Sequence, residues 1–158
     1  MRALGIDVGT RRIGLAISDA TGTLARPLTT LVVDEAPAKT GAGGKTLKLT
    51  ARSRARVIEA IVQAIDQCRA EEDGLGMVVV GVPTRLDGSP TDATSVAVDV
   101  ISALRARVSI PVIAQDERLS SREAEARLAV HERDWRRRKA RLDAAAAAVL
   151  LQDYLDHR

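Results

Sequence analysis

The stretch Leu4–Asp19, LGIDVGTRRIGLAISD, places a carboxylate inside an apolar, glycine-rich segment. Its first half alternates aliphatic residues with Gly5, Asp7 and Gly9, so a strand of period two has its aliphatic side chains on one face and Asp7 on a cleared face. An ionised side chain in a central strand is costly unless it is paired, hydrogen-bonded or bound to a metal. Asp7 is therefore the first candidate functional residue, and capping of the following turn is the structural alternative.

The same stretch predicts the hairpin that begins the fold. Residues 10–12 are typical of a tight turn, and Ile13–Ser18 is typical of a second strand paired back on the first. Leu24–Val33 is apolar and β-branched enough for a third strand, provided that Pro27 lies on an edge strand or at a bulge. Three antiparallel strands are expected in succession.

Helices and strands alternate in the rest of the chain, where apolar spacing changes between helical and continuous. The predicted elements are a helix over Leu49–Glu72 with Cys68 in the core, a buried strand over Gly76–Val82, a helix started by Thr91 or Asp92, a fifth strand over Pro111–Ala114, a helix capped by Ser120 and Glu123, and a final helix from Leu142. The order predicts an α/β fold with a mixed five-stranded sheet. Three antiparallel strands come first, parallel βαβα units follow, and helices cover both faces.

Composition limits the function classes. A chain of 158 residues with 46% hydrophobic content is most simply one domain over residues 1–158. Of its 24 basic residues 20 are Arg, the side chain best suited to planar phosphate contacts. One Cys and two His exclude an intrachain disulfide and a Cys/His zinc cluster, so any metal needs carboxylate ligands. The sequence has no apolar run typical of a membrane span and no signal peptide, which predicts a cytoplasmic protein.

Residues 34–46 read as a long connection that contains the sequence GAGGKT. A nucleotide-binding P-loop would need a glycine where Lys39 stands and a strand leading directly into the loop. The sequence has neither, so we do not predict a P-loop.

Two segments at strand ends carry polar candidates. Arg85 and Asp87 lie in the loop after the Gly76–Val82 strand, where α/β sheets bind ligands, although a plain turn is equally compatible. Asp116 and Glu117 follow the fifth strand and point opposite ways if that strand continues. One of them is expected to face the same side as Asp7.

The last part of the chain joins a basic run to an alanine-rich helix. Residues 133–141 hold six basic residues and one acid, which is typical of a solvated face or of a loop that contacts phosphates, and Trp135 is placed to stack on a base. Asp143, in the expected first turn of the last helix, complements the helix dipole or is brought toward the opening strand. The alanines that follow it favour close packing on the sheet.

Four motifs occur in order: LGIDVGTRRIGLAISD, GVPTRLDG, DERLSS and RKARLDAAAAAVLLQDYL. Together they resemble the bacterial YqgF family of pre-16S rRNA nucleases, which is related to Holliday junction resolvases. The resemblance implies a ribonuclease H-like fold and a metal-dependent phosphodiesterase site, with Asp7, Glu117 and Asp143 as catalytic residues and metal ligands. Arg138 and Lys139 match the basic pair of the family. The chain departs from the family pattern at Ser121, where a Thr is common, and at residues 129–131, where a Gly is expected.

The predicted activity is endonucleolytic cleavage of structured nucleic acid. Two Mg²⁺ ions, or Mn²⁺, held by the three carboxylates would activate water and stabilise charge on the reacting oxygens. The residues expected to contact nucleic acid are Arg11, Arg12, Arg118, Trp135, Arg138 and Lys139.

The expected role is processing of the 5′ end of pre-16S rRNA during ribosome biogenesis. The partner is then pre-16S rRNA or the small-subunit precursor, bound by a monomer or a homodimer. The alternatives are a non-catalytic RNA-binding assembly factor and a Holliday junction resolvase. An ATP-binding domain of the actin and sugar-kinase type is disfavoured, because 158 residues leave no room for its second lobe.

Overall fold

Five strands form one mixed β-sheet in the computed structural model, which describes residues 1–9, 12–32, 51–117 and 135–158. The strands are β1 (Arg2–Val8), β2 (Arg12–Ser18), β3 (Ala25–Val32), β4 (Leu75–Val82) and β5 (Val112–Asp116). Their order across the sheet is β3-β2-β1-β4-β5. The first three pair antiparallel, and β4 and β5 continue the sheet in parallel with β1. The predicted α/β sheet is confirmed.

Three helices are described, and they are divided between the two faces of the sheet. They are α1 (Ala51–Ala70), α2 (Asp92–Arg107) and α3 (Trp135–His157). Helices α1 and α2 share one core cluster with the aliphatic side chains of β1, whereas α3 packs on the opposite face. No helix in the described ranges is long and apolar enough to cross a membrane.

The strand alternation read from the sequence is observed in β1. Leu4, Ile6 and Val8 are buried in the larger core, on the face that α1 and α2 cover. Cys68 of α1 is buried in the same core, as predicted. The other face of β1 is left to small residues and to Asp7.

Small residues bring α3 very close to that second face. A Cβ added to Gly5 would lie 2.8 Å from the Cβ of Leu151 and 3.0 Å from the carbonyl oxygen of Ala147. Ala147 and Ala148 pack there against Ala3 of β1. The prediction that the alanine run lets the last helix approach the sheet closely is confirmed.

Pro27 lies where proline is tolerated. Strand β3 is at the edge of the sheet, and its register with β2 shifts between Leu15 and Ala16, the residue that pairs with Pro27. Since an edge strand has one side without ladder bonds, the missing N–H costs little there. Both conditions stated for this strand are met.

The helix predictions hold for two helices and fail at one helix start. Helix α2 begins after Thr91, whose side chain accepts a hydrogen bond from the backbone N–H of Thr94. The last helix begins at Trp135 and not at Leu142, so residues 135–141 are helical and do not form a loop. The segment lacks Gly and Pro and is rich in Arg and Lys, which are good helix formers, so nothing in it stops the helix.

Two other predictions fall on residues that lie outside the described ranges. One is the connection with the GAGGKT sequence, within residues 33–50. The other is the helix capped by Ser120 and Glu123, which belongs to residues 118–134, together with the departures at Ser121 and residues 129–131.

Candidate active site

Asp7 lies near the end of β1, on the sheet face that α3 covers, between two glycines. Gly14 is its partner in β2. On the other side, the register pairs Ile6 with Val80, which places Gly81 of β4 next to Asp7 as the ladder continues. Both neighbours therefore lack a side chain on the face toward which Asp7 points, and space opens on each side of its carboxylate.

The space above Gly14 is filled by the backbone of α3. A Cβ on Gly14 would collide with the carbonyl group of Asp143 and would lie 3.0 Å from the amide nitrogen of Ala144. Asp143 is thus held against the cross-strand neighbour of Asp7. Because α3 begins at Trp135, Asp143 is two turns into the helix, and the prediction that it lies in the first turn is wrong. The dipole explanation for this acid is lost with it, since that effect fades beyond the first turn.

The space above Gly81 is filled by the side chain of Glu117. A Cβ on Gly81 would overlap the carboxyl group of Glu117. The backbone N–H of Glu117 donates to the carbonyl oxygen of Val82 at 3.3 Å, which continues the pairing of β5 with β4 beyond Asp116. From there the side chain reaches over β4 and forms a hydrogen bond with the carboxylate of Asp7.

The three acids influence one another strongly. Burial raises the pKa of Asp7 to about 6, and the charge of Asp143 adds to the rise, while the hydrogen bond with Glu117 opposes it. Burial also raises the pKa of Glu117 to about 8, with further contributions from the charge of Asp7, from the hydrogen bond with Asp7 and from the charge of Asp116. At neutral pH Glu117 therefore keeps the proton of the pair, and its carboxyl group donates a hydrogen bond to the carboxylate of Asp7.

Asp116 takes the other direction, as the alternation at this strand end predicted. It is exposed, and its Oδ1 accepts a hydrogen bond of 3.0 Å from the hydroxyl of Thr84. Thr84 belongs to the loop after β4, so this bond ties that loop to the end of β5. Of the two adjacent acids, Glu117 is the one that faces Asp7.

The chemistry of this cluster suits a hard divalent cation. All its donors are carboxylate oxygens, and Oε1 of Glu117 and Oδ2 of Asp143 are both shielded from solvent. A cation would also offset the burial of these charges and their mutual repulsion, which together raise the pKa values of Asp7 and Glu117. In the ranges that the structure describes, however, no three Asp, Glu, His or Cys side chains have the spacing that a bound ion requires. Glu117 is turned toward Asp7 in their hydrogen bond.

The loop between β4 and α2 lies at the same end of the sheet and is closed by its own hydrogen bonds. The backbone N–H of Arg85 donates to the carbonyl oxygen of Ser89 at 2.9 Å, and that of Gly88 donates to the carbonyl oxygen of Arg85 at 2.8 Å. The Asp87 carboxylate accepts from the backbone N–H of Ser89 at 2.9 Å. Asp87 thus stabilises the turn, while Leu86 at its tip is exposed.

The predicted basic residues are distributed differently from the acids. Arg12 is half-buried at the first position of β2, beside the end of β1, and its carbonyl oxygen accepts from the backbone N–H of Gly9 at 2.9 Å. Arg11 and Arg118 lie outside the described residues. Trp135, Arg138 and Lys139 belong to the first two turns of α3.

Three residues that shape the site were not singled out as functional from the sequence. They are Gly14, Gly81 and Thr84. A signal was present for the glycines, because an isolated glycine in a strand often marks the close approach of another group. For Thr84 there was none, since its role depends on a contact across the sheet.

Comparison with known proteins shows where the chain belongs. The RuvX family model, described as a Holliday junction resolvase, matches residues 1–43 and 38–157. A protein of Anaeromyxobacter sp. (strain K) named "Putative pre-16S rRNA nuclease" is 35% identical over 158 residues, which cover 100% of this chain and 98% of the relative. A protein of the same name from Geobacillus kaustophilus (strain HTA426) is 34% identical, with 100% and 99% covered.

Solved structures agree on the fold. T. thermophilus RuvC in complex with Holliday junction substrate superposes with a TM-score of 0.57 at 17% identity, covering 98% of this chain and 93% of that one. A second Thermus thermophilus RuvC structure gives a TM-score of 0.52 at 16% identity, with 95% and 92% covered. The sheet order and these neighbours define a ribonuclease H-like fold, and the relatives place the chain in the class of nucleases that act on phosphodiester bonds. The chain belongs to the RuvX family.

Proposed function

We propose that this nuclease is a metal-dependent endonuclease whose catalytic residues and metal ligands are Asp7, Glu117 and Asp143. The observation that carries the proposal is their convergence over Gly14 and Gly81, two positions at which any side chain would displace one of the acids. Three acids crowded in a buried site are unfavourable for folding, which favours a functional reason for their presence.

In this proposal the carboxylates of the chain hold and orient the metal ions, and they do not themselves supply the nucleophile. Mg²⁺ or Mn²⁺, when bound, would lower the pKa of a water molecule and stabilise negative charge on the attacking and leaving oxygens. Asp7 is fixed by a central strand, and Asp143 by a helix packed on that strand. Glu117 would be the member that changes state, because as a metal ligand it would lose its proton to solvent and give up its hydrogen bond to Asp7.

Nucleic-acid backbone is proposed to lie along the sheet edge where β1 ends and β2 begins. Arg12 is at this edge, and Trp135, Arg138 and Lys139 lie on α3 on the amino-terminal side of Asp143. With Arg11 and Arg118, these residues would position phosphates without reading sequence.

The substrate that we propose is the 5′ end region of pre-16S rRNA or of a small-subunit precursor. The reason is that relatives matched over almost their full length are named as nucleases of pre-16S rRNA. Such a substrate is made in the cytoplasm, which is where the proposal places the protein. Branched DNA is the second candidate, since the family model is described as a Holliday junction resolvase.

A cleavage assay tests the function. Purified protein is incubated with a structured RNA carrying a 5′ extension of 16S rRNA and, side by side, with four-way junction DNA, each with Mg²⁺, with Mn²⁺ and with a chelator. We expect cleavage of the RNA that requires the metal and is lost in Asp143→Asn. Cleavage of the junction alone would favour the resolvase, and binding without cleavage of either would show a non-catalytic assembly factor.

A further inference from the structure

The hydrogen bond between Thr84 and Asp116 is the contact at this end of the sheet that the proposed chemistry leaves unused. The hydroxyl of Thr84 donates to Oδ1 of Asp116 at 3.0 Å, in a position exposed to solvent. An exposed hydrogen bond contributes little to the stability of a fold, because water replaces either partner when the bond breaks. The importance of this one comes from the residue that follows Asp116 in the chain, which is Glu117.

Glu117 stands just beyond the last residue of β5, at the end of the pairing with β4. Val82 pairs with Asp116, and the backbone N–H of Glu117 donates to the carbonyl oxygen of Val82 at 3.3 Å. That distance is longer than the usual limit of about 3.2 Å for a bond of this type, so the bond is weak. Pro83 follows Val82 and has no N–H to donate. A side-chain bond across the same gap therefore adds to the order of this strand end.

Thr84 makes that bond from a fixed support. Its backbone pairs with Pro90 in an antiparallel bridge across the base of the loop. The carbonyl oxygen of the preceding Pro83 accepts a hydrogen bond from the hydroxyl of Thr94, which belongs to the capping box at the start of α2. Through these contacts the bond between Thr84 and Asp116 ties the end of β5 to the first turn of α2.

The carboxyl group of Glu117 depends on this support because it acts at a distance from its own strand. The side chain reaches over Gly81 of β4 and meets Asp7 in β1, two strands away from the Glu117 backbone. Any shift of the strand end moves the carboxyl group with it. Loss of a group that holds a metal ligand in place typically costs about 10- to 100-fold in metal affinity.

We propose that Thr84 is a positioning residue for the acidic site: through Asp116 it fixes the strand end from which Glu117 reaches the other acids. This inference rests on the proposed function, in which Glu117 is a metal ligand. It deepens that function by naming a residue outside the three acids that sets how tightly the cation is held.

Metal binding and amide exchange, both measured without nucleic acid, test the role of Thr84. Thr84→Val removes the hydroxyl and keeps the shape of the side chain, whereas Thr84→Ser keeps the hydroxyl. The matched control is Thr21→Val, which removes a hydroxyl that donates to Oδ2 of Asp19 at 2.6 Å, in the exposed turn between β2 and β3 at the opposite end of the strands. One probe is Mn²⁺, followed by the electron paramagnetic resonance signal of the free ion. The other is the solvent exchange of the Glu117 amide proton in the metal-free protein, followed by NMR.

We expect Thr84→Val to bind Mn²⁺ about tenfold more weakly than wild type and to exchange the amide proton of Glu117 faster. Thr84→Ser and Thr21→Val should match wild type in both measurements. The two valine variants should unfold at nearly the same temperature, since each loses one exposed hydrogen bond to a carboxylate.

Wild-type exchange at Glu117 in Thr84→Val would overturn the positioning role, and so would a serine variant that behaves like the valine variant. If the wild-type protein binds Mn²⁺, equal affinities of Thr84→Val and Thr21→Val would also overturn it. If the wild-type protein binds no Mn²⁺ while Thr84→Val speeds the exchange and Thr84→Ser does not, the metal site of the proposed function fails and the positioning of Glu117 stands.

Discussion

At neutral pH the pair of Asp7 and Glu117 holds a proton that two solvated carboxyl groups would have released. Burial is the main cause for both residues, and the neighbouring charges of Asp143 and Asp116 add to it. A site of this kind is unfavourable for the free protein and favourable for binding a cation, because the cation offsets the repulsion that folding has to overcome. Because the same acids destabilise the free protein and favour cation binding, single substitutions should affect stability and activity in opposite directions.

Replacing Asp7 with Asn should abolish cleavage and leave the fold intact. We expect a loss of activity of about a thousandfold or more, since one ligand and its charge are removed. In chelator at pH 8, the same variant should be more stable than wild type by about 1–2 kcal/mol, because the charged form of a buried group with a raised pKa is no longer formed. Thermal unfolding and cleavage measured on one preparation check both parts. A large fall in melting temperature would identify Asp7 as a structural partner.

The stability of the metal-free wild type should fall as pH rises. Both pKa values are higher in the folded state, about 6 against 3.8 for Asp7 and about 8 against 4.5 for Glu117. The stabilising contribution of the pair is therefore complete below about pH 4 and is lost as pH rises through 6 and 8. We expect a loss of at least about 1 kcal/mol, or about 2–4 °C in melting temperature.

The matched control for the pH series is the double variant Asp7→Asn with Glu117→Gln, which keeps the shape of the side chains and removes both titrating groups. The difference between the two proteins isolates the pair from the other titrating groups. A difference that does not change between pH 5 and pH 8 would show that the two carboxyl groups are solvated and not crowded.

At the scale of elements, strands β2 and β4 make room for the site because each has a glycine where a side chain would stand. Gly14 admits the backbone of α3, and Gly81 admits the side chain of Glu117. Either glycine could be read from the sequence as a weak point of a strand, yet each is the reason that an acid from a distant element reaches Asp7.

Gly81→Ala should remove activity with little loss of stability. The added methyl group meets a side chain that can rotate away, so Glu117 is displaced from Asp7 while the sheet stays intact. The control is Gly76→Ala in the same strand, where the methyl group meets the side chain of Met1 at 3.1 Å, far from the acids. Cleavage rates and unfolding curves of both variants check the prediction. Equal activity of the two would show that Glu117 does not act from the position above Gly81.

The first turns of α3 carry the basic residues predicted to bind phosphate. Replacing Arg138 and Lys139 with Ala should weaken binding to a similar extent across sequences and lower the slope of log affinity against log salt by about one unit for each lost contact. Trp135→Ala should weaken binding of unpaired RNA and leave the salt slope unchanged, since stacking releases no counterions. Titrations at several salt concentrations separate these effects, and unchanged binding in both would exclude this end of α3 from the interface.

The sequence predicted a mixed sheet of three antiparallel strands followed by parallel ones, an edge or bulge position for Pro27, and one of Asp116 and Glu117 on the side of Asp7, because each depends on a local period or a local backbone rule. The choice of Glu117 came only from the resemblance to the YqgF family. The sequence failed at the start of α3, because a charged run without Gly or Pro looks the same on a solvated helix as in a loop. It also could not supply the contact between Thr84 and Asp116, which joins residues far apart in the chain and exists only after the sheet has formed.

At the scale of the whole molecule, the topology brings the site residues together at one end of the strands. Strands β1 and β5 both end there, with β4 between them, and α3 packs over β1 and its neighbours β2 and β4. Asp7 is thereby brought together with acids that lie more than a hundred residues further along the chain. The oligomeric state, a monomer or a homodimer, stays a prediction that sedimentation of the free protein can check.

The most direct test of this account is anomalous diffraction from crystals of the wild-type protein soaked in Mn²⁺. We expect an anomalous peak within ligand distance of carboxylate oxygens from Asp7, Glu117 and Asp143, with Glu117 rotated out of its hydrogen bond to Asp7, and we expect Asp7→Asn to lose the peak. A peak elsewhere, or saturating Mn²⁺ with Asp7 and Glu117 still hydrogen-bonded to each other and no metal beside them, would contradict it.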